Sequence, residues 1–299
     1  MKPKSLAIPL LFLLGLALLL PGCAKKRRER LLFYTESSFP PYEFMDGDRI
    51  VGIDVSIAKE IAKAVDRDLV IVHCSFDHLL DSLVEGKADM AIASISVTPE
   101  RQEIVDFSIP YTSAGMVIVR RKDDASVASP ESLVGKRVGA QGGTTAESYV
   151  RNELHQAPVL FDIPAQFMVA VEAGDLDAAI CDNEPATTLV SSHPNLEILP
   201  DAITRDDYAV AVRKGDADLL DAVNSVLARI LADGTYQAFC DEAAARYEIL
   251  DTAFRDAEQA EKEIDALAPL PAVLADLDAT LPREPSPPRR APARQECHR

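Results

Sequence analysis

Short apolar runs alternate with amphipathic helical segments from residue 31 onwards. The apolar run 31–35 is typical of a buried strand, and the helix that follows is expected to be capped by Asp54. Along this helix, apolar residues recur at helical spacing and mark its buried face: they are Ile57, Ala58, Ile61, Ala62 and Val65. A strand at 69–73 and a helix at 77–85 repeat the order. This alternation predicts an α/β fold in which helices cover both faces of a mostly parallel sheet.

The same alternation returns in the second half of the chain. It predicts strands at 116–120, 136–140, 178–181 and 208–213, and helices at 146–155, 164–173 and 217–232. A glycine-containing turn at 141–145 precedes the first of these helices. Glycines at a helix N-terminus let backbone N–H groups approach a ligand, although the turn lacks the lysine and the length of a Walker loop.

One junction between a strand and a helix concentrates polar groups. Thr98 has the position of a helix N-cap and Pro99 that of the first helical residue, directly after a short apolar run. The hydroxyls of Ser94 and Ser96 and the guanidinium of Arg101 then surround one point at the edge of the predicted sheet, where open α/β sheets bind ligands. An anion would fit there. Alternatively, Arg101 only pairs with glutamates of its own solvated helix.

Three other positions are candidates for the same edge. In the loop 36–44, prolines hold Phe39 and Tyr42 extended, so these rings either form a binding wall or pack under their own turn. Phe76 lies where a strand passes into a helix. Asp182 follows a buried strand, where it either caps the next helix or contacts a ligand.

Composition and the N-terminus indicate where the chain acts. Its 299 residues are 47% apolar and carry a net charge of −17, which favours a soluble domain and argues against nucleic acid as a partner. Residues 1–22 have the basic start and apolar core of a signal peptide. They end before Cys23 in a sequence that resembles the bacterial lipobox, so we expect a lipidated Cys23 with 23–30 as a tether. An uncleaved anchor helix and plain secretion are the alternatives.

The cysteines and the C-terminal segment carry no predicted site. The spacing of Cys74, Cys181, Cys240 and Cys297 matches no metal or redox motif, and their disulfide pairing is open. His73 and His78 are interpreted as ordinary surface or packing histidines. An acidic helix is expected over 241–281, packed by an apolar stripe that includes Tyr247, Leu250 and Phe254. The proline- and arginine-rich residues 282–299 are predicted to be disordered.

Seven motifs in a fixed order give the chain a family resemblance. They are F-P-P-Y-E-F, V-G-I-D-V-S-I-A-K-E-I-A, F-D-H-L-L-D-S-L-V-E-G-K-A-D, S-I-S-V-T-P-E-R, V-D-F-S-I-P-Y, G-K-R-V-G-A-Q-G-G-T-T-A-E and A-V-R-K-G-D. With them, residues 31–240 resemble the bacterial extracytoplasmic solute-binding proteins of polar amino-acid ABC transporters. The resemblance implies a two-lobed type 2 periplasmic-binding fold, with residues 31–112 and 206–240 in lobe 1, residues 113–205 in lobe 2, and the ligand between the lobes.

The resemblance also implies a clamp for a zwitterion. Arg101 matches the arginine that binds the ligand α-carboxylate, and Asp182 matches the acid that receives the α-ammonium. The other matching positions are the hydroxyl and amide contacts Ser94, Ser96, Thr144 and Thr145, the aromatic pair Phe39 and Phe76, and Glu36, which would reach the ligand side chain. The expected ligand is a polar, possibly cationic, amino acid.

The family further implies a protein without cofactor or catalysis, monomeric, lipid-anchored in the cell envelope and delivering its ligand to an ABC permease. The alternatives on this fold are a prephenate or arogenate dehydratase and a ligand-sensing component. The intact zwitterion set argues against the dehydratase, and the lack of a long apolar run after Asp241 argues against the sensor. The chain departs from the family in having no tryptophan and in its C-terminal 59 residues, 241–299.

Overall fold

The computed structural model describes residues 28–267. Their strands are β1 (Arg30–Thr35), β2 (Ser38–Phe39), β3 (Glu43–Asp46), β4 (Arg49–Val51), β5 (Asp68–His73), β6 (Met90–Ala91), β7 (Val105–Phe107), β8 (Thr112–Ala114), β9 (Met116–Arg121), β10 (Val138–Gln141), β11 (Val159–Phe161), β12 (Ala178–Asp182), β13 (Leu196–Ile198), β14 (Asp206–Tyr208) and β15 (Ala211–Arg213). Their helices are α1 (Ile53–Ala64), α2 (Leu79–Val84), α3 (Pro99–Ile104), α4 (Thr145–Asn152), α5 (Pro164–Ala173), α6 (Asn183–Val190), α7 (Ala217–Ala232) and α8 (Thr235–Leu267), with 3₁₀ turns at Phe76–His78 and Pro130–Leu133.

Two five-stranded sheets form the framework. The first sheet has the order β5-β1-β6-β15-β7, and the second has the order β11-β10-β12-β9-β13. In each sheet two neighbouring pairs are parallel and two are antiparallel. The predicted two-lobed α/β fold is confirmed. The βα alternation predicted mostly parallel sheets, but half of the strand pairs in each sheet are antiparallel. The antiparallel strands β9 and β15 each come directly after a segment that crosses from the other sheet, namely β8 and β14. A chain that arrives in this way can enter a sheet in either direction.

Each sheet buries its own apolar core, so each sheet and its helices are called a lobe here. Under the first sheet, Leu79 and Leu83 of α2 pack against Ala91 of β6. Under the second sheet, Val150 of α4 packs against Ile118 and Ile180. Apolar burial of this kind stabilises each lobe by roughly 25 cal/mol per Å².

The chain crosses between the lobes through a pair of short antiparallel strands. β8 pairs with β14, with Thr112 opposite Tyr208 and Ala114 opposite Asp206. The predicted single strand at 208–213 is therefore wrong: Tyr208 ends β14, and β15 begins at Ala211 in the first sheet. An unbroken apolar pattern cannot reveal that a chain leaves one sheet and enters another.

Most predicted helices have nearly the observed bounds. Thr98 caps α3, since its hydroxyl accepts a hydrogen bond from the N–H of Arg101 at 3.2 Å, and Pro99 is the first helical residue. The expected cap at Asp54 is wrong. Gly52 occupies the N-cap position of α1, whereas Asp54 is the second residue of the helix and is fully buried.

The C-terminal helix α8 begins at Thr235, earlier than the predicted acidic helix. Contacts divide the chain into one unit that ends at Glu248 and a second that begins at Ile249. Within the first unit, the Tyr247 ring meets the Phe44 ring edge-on at 5.3 Å, and Arg246 forms an ion pair with Asp46. In the second unit, Phe254 is 64% exposed, so the predicted apolar stripe is not buried along its whole length.

The remaining expectations concern cysteines and the termini. Cys181 is buried, Cys74 and Cys240 are partly buried, and all three are free thiols. The signal peptide 1–22, Cys23, the tail 282–299 and Cys297 lie outside the described residues. Within 28–267, no helix has both the length and the apolar character needed to cross a membrane.

Candidate ligand-binding site

Arg101 is held at the predicted strand-to-helix junction by hydrogen bonds to backbone carbonyls. Its Nη1 donates to the Ser96 oxygen at 2.7 Å, and its Nη2 donates to the Gly143 oxygen at 3.0 Å. Its guanidinium carbon lies 5.6 Å from the centre of the Phe76 ring. No ion pair to a neighbouring glutamate of its helix is found in the described chain, so the alternative of a solvated surface arginine is not supported. Fixed in this way, the guanidinium can present its remaining N–H groups to an anion.

Ser94 and Ser96 lie in the segment between β6 and α3, and both are buried. The backbone N–H of Ser94 donates to the Asp54 carboxylate at 2.9 Å. Its Oγ is buried without a hydrogen-bond partner among residues 28–267. An unpaired buried hydroxyl costs about 1 to 3 kcal/mol, so Ser94 has a free group that a ligand can satisfy.

The second lobe contributes the turn between β10 and α4. Thr144 caps α4, because its Oγ1 accepts from the N–H of Glu147 at 3.3 Å. Thr145 is the first residue of α4, and its hydroxyl donates to Asp206 at 3.1 Å. Gly143 has a positive φ of 77°, a conformation that suits glycine.

Asp182 ends β12 and occupies the N-cap position of α6, but its side chain forms no capping hydrogen bond. It accepts a hydrogen bond from the Tyr208 hydroxyl at 2.5 Å. Burial raises the pKa of Asp182 to about 6, while the hydrogen bond from Tyr208 opposes this change. Because the carboxylate is partly buried and has no cationic partner at hydrogen-bond distance among residues 28–267, an ammonium group would be a suitable guest.

These side chains converge on one cavity. Its lining residues are Phe39, Phe76, Ala93, Ser94, Ser96, Arg101, Gln141, Thr144, Thr145 and Asp182. An adjoining cavity shares Phe39 and Asp182 with it and continues to the apolar side chains of Phe167 and Ile180. Eight of the nine predicted ligand-site residues therefore line a single space. Tyr42, the other aromatic candidate of the loop 36–44, does not line this cavity, because its ring is fully buried beside Tyr208.

Glu36, the ninth predicted residue, is not part of the lining and lies behind it. Glu36 directly follows β1 and is 2% exposed, and its Oε1 accepts a hydrogen bond from the Ser38 hydroxyl. Its Oε2 is buried without a hydrogen-bond partner in the described part of the chain. Burial raises the pKa of Glu36, and hydrogen bonds from Ser38 and Gln141 oppose the rise.

Gln141 is a cavity residue that the sequence analysis missed. It ends β10, is 4% exposed, and donates from Nε2 to the Asp162 oxygen at 2.9 Å. Its position beside Glu36 joins the second lobe to the first. The signal was present in the sequence, since a polar residue that ends a parallel strand lies at the ligand edge of the sheet.

The cavity is closed by direct contacts between the lobes. The Tyr42 hydroxyl donates to the Glu184 carboxylate, and Arg101 donates to the Gly143 oxygen. A Cβ atom added at Gly143 would lie 2.8 Å from the Cα of Asp77. The two lobes thus meet closely around the cavity.

Two lobes that enclose a polar cavity define a ligand-binding protein of the type 2 periplasmic fold. Residues 31–243 match the bacterial extracellular solute-binding proteins, family 3, and the chain belongs to this family.

The relatives bind different amino acids, as their names state. The chain is 29% identical over 221 residues to ABC transporter arginine-binding protein 1 of Escherichia coli (strain K12), covering 72% of this chain and 90% of that protein. It is 31% identical over 222 residues to the L-cystine-binding protein TcyJ of the same organism, covering 73% and 83%. A crystal structure of the substrate-binding protein AbpA from Streptococcus pneumoniae, bound to L-arginine, has a TM-score of 0.69 and 30% identity, covering 73% of this chain and 95% of that one.

Proposed function

We propose that this protein captures L-arginine outside the cytoplasm and delivers it to an ABC importer. Closure of the lobes would place the ligand carboxylate at Arg101 and Ser94 and its ammonium at Asp182. Residues 31–112 and 206–240 would move as lobe 1 and residues 113–205 as lobe 2. The first sheet draws its strands from both ends of this range and the second sheet from its middle, which supports these boundaries.

The observation that carries the choice of a cationic ligand is the buried carboxyl of Glu36. A buried carboxylate is costly unless it is paired, and one of its oxygens has no hydrogen-bond partner among the described residues. A guanidinium that reaches Glu36 past Gln141 would supply the missing donors. The Phe39 ring at the cavity wall would add a cation–π contact of about 0.5 to 2 kcal/mol. The arginine-binding relatives support the same choice.

Calorimetry on the full chain tests the ligand. Titrations with L-arginine, L-lysine, L-glutamine, L-cystine, L-leucine and L-glutamate should give L-arginine as the tightest ligand. A preference for L-cystine, L-leucine or L-glutamate would refute the proposal. The bound amino acid should be recovered chemically unchanged, because we propose a binding protein and not an enzyme.

The variant Glu36→Gln tests the specificity residue. It keeps the size of the side chain and removes its charge, so arginine affinity should fall at least tenfold, which corresponds to about 1.4 kcal/mol. Glutamine affinity should change less than threefold. The control Glu103→Gln, at an exposed position of α3, should leave both affinities unchanged.

We further propose that the mature chain begins at a lipidated Cys23 and acts as a monomer tethered to the membrane by residues 23–30. Acyl chains contribute roughly 0.8 kcal/mol per buried methylene, so several chains on one cysteine form a stable anchor. In cells labelled with radioactive palmitate, the wild type should carry label in the membrane fraction. The Cys23→Ala variant should carry none, and label retained by that variant would refute the anchor.

A further inference from the structure

Two buried acids take no part in the cavity lining. Glu43 of β3 and Asp54 of α1 are both 0% exposed. Burial of a charged carboxylate is strongly unfavourable unless the group is neutralised or fully hydrogen-bonded. These two residues therefore need a reason to lie in the core of the first lobe.

Asp54 is bonded directly to the backbone of a cavity residue. Its Oδ2 accepts from the N–H of Ser94 at 2.9 Å and from the hydroxyl of Tyr111 at 3.1 Å. Ser94 has a φ of +50°, a conformation that residues other than glycine rarely adopt. The hydrogen bond to Asp54 holds Ser94 in this conformation at the wall of the cavity.

The carboxyl of Asp54 also lies beside that of Glu43. Asp54 Oδ1 and both Glu43 oxygens are buried, and no N–H or hydroxyl group among residues 28–267 donates to them. The two carboxyls nevertheless lie close enough to form a hydrogen bond with each other. Since ionised carboxylates only accept, this bond exists only if one of the pair carries a proton.

The surroundings decide which of the two carboxyls keeps the proton. Burial raises the pKa of Asp54 to about 6, and the donors Ser94 and Tyr111 stabilise its ionised form. Burial raises the pKa of Glu43 well above its ordinary value, and the nearby charges of Asp54 and Glu36 raise it further. At neutral pH the proton therefore belongs on Glu43.

We infer that a neutral Glu43 donates to an ionised Asp54, and that this pair positions Ser94 to receive the ligand carboxylate. Both acids are positioning residues, because neither lines the cavity. The part of the inference that concerns the ligand rests on the proposed function. The shared proton does not, because it follows from buried contacts within the first lobe.

The positioning role is tested by arginine calorimetry on the full chain. Asp54→Ala removes the acceptor for Ser94 and should lower arginine affinity at least tenfold. Asp54→Asn and Glu43→Gln retain a hydrogen-bonded pair and should stay within threefold of the wild type. Ile57→Ala removes buried apolar atoms from the same helix and should lower the melting temperature without changing affinity. Unchanged affinity in Asp54→Ala, or an equal loss in Ile57→Ala, would overturn the positioning role.

The protonation of Glu43 can be tested without any ligand and without Asp54→Ala, the variant that could impair folding. The infrared spectrum of the wild type at neutral pH should contain the C=O band of a buried carboxylic acid that is missing from Glu43→Gln. The exposed control Glu100→Gln should keep the band. Absence of a difference between the wild type and Glu43→Gln would refute the pair. Failure of the wild type to bind arginine would instead refute the proposed function and leave the infrared result standing.

Discussion

The two sides of the cavity hold their polar groups in different ways. In the first lobe, these partners belong to the same lobe: Thr98 caps the helix of Arg101, the Ser96 carbonyl oxygen accepts from its guanidinium, and the Asp54 carboxylate accepts from the N–H of Ser94. In the second lobe, the groups that face the ligand are bonded to the crossing strand β14, since Asp182 accepts from Tyr208 and Thr145 donates to Asp206.

This difference indicates which side is preorganised. Apart from the hydrogen bond of Arg101 to the Gly143 oxygen, which crosses to the second lobe, these contacts of the first lobe lie within one lobe and do not depend on closure. Its binding groups therefore keep most of their geometry when the lobes separate. The contacts of the second lobe reach the hinge or the other lobe, so they depend on the closed form. A ligand that bridges both sides would stabilise closure by its differential affinity for that form. The first lobe would then bind first, and the second lobe would complete the site.

Replacing Arg101 should give the largest effect, because it removes the charged anchor of the preorganised side. Charge-assisted hydrogen bonds contribute about 1.5 to 3 kcal/mol each, so loss of two in Arg101→Ala should reduce arginine affinity by more than about a hundredfold. Calorimetry should detect no binding, while circular dichroism shows a folded protein. The control Arg137→Ala removes an arginine that pairs with Asp177 at the opposite end of β10, and it should bind normally. Binding by Arg101→Ala at wild-type strength would remove the clamp from the first lobe.

Asp182→Asn should weaken arginine binding by about tenfold to a hundredfold and should also change its pH dependence. Since the pKa of Asp182 is about 6 without ligand, wild-type affinity should fall as the pH drops below about 6, by at most tenfold per unit. The variant should lack this component of the profile. An arginine analogue without the α-ammonium should bind both proteins with similar affinity. An unchanged pH profile in the variant would contradict the assignment of Asp182 to the ammonium.

The same pKa predicts the stability of the ligand-free protein. A pKa raised by folding means that the folded state binds the proton more tightly than the unfolded state. The stability that Asp182 contributes is therefore complete below its ordinary pKa of 3.8 and is lost as the pH rises through about 6. At neutral pH, ligand-free Asp182→Asn should melt at a higher temperature than the wild type, and the gap should close at about pH 4. A melting temperature lower than that of the wild type at neutral pH would contradict this sign.

The sequence predicts those contacts of the site whose residues are near one another along the chain. The cap at Thr98 and the cluster of Ser94, Ser96 and Arg101 were predictable, because a strand-to-helix junction places near neighbours around one point. The two-sided clamp came from the family resemblance and not from periodicity. Its assignment to a ligand remains a prediction.

Contacts across long sequence distances were not predictable from local patterns. The sequence predicts a helix cap at Asp54, because an acid in the first helical turn has the same local pattern whether it faces water or the core. Only the fold brings Glu43 and Ser94 to it. For the same reason, neither the hydrogen bond of Tyr208 to Asp182 nor the break between β14 and β15 has a local signal.

Gly143→Ala tests whether ligand affinity depends on closure of the second lobe against the first. An added Cβ would lie 2.8 Å from the backbone of Asp77 in the first lobe, and the positive φ of 77° is unfavourable for alanine by about 1 to 2 kcal/mol. The affinity for every bound amino acid should fall by a similar factor of about ten, and X-ray scattering should show less compaction on binding. Gly142→Ala is the matched control, since its added Cβ meets nothing within 4 Å. A loss confined to one ligand would mean that Gly143 acts on specificity and not on closure.

Shortening α8 should have the smallest effect on affinity and should act only on the preorganised side. Removal of all residues after Asp241 deletes the ion pair of Arg246 with Asp46 and the contact of Tyr247 with Phe44, both of which support the β3–β4 hairpin of the first lobe. The melting temperature should fall, while arginine affinity, measured where the protein is folded, should stay within about threefold of the wild type. Truncation after Glu248 keeps both contacts and should preserve the melting temperature, and truncation after Leu281 should change neither property.

Because the hairpin begins with Glu43, the chain truncated after Asp241 also tests whether the buried acid pair of Glu43 and Asp54 needs support from α8. If its arginine affinity fell as far as that of Asp54→Ala, the preorganisation of the first lobe would extend to the C-terminal helix.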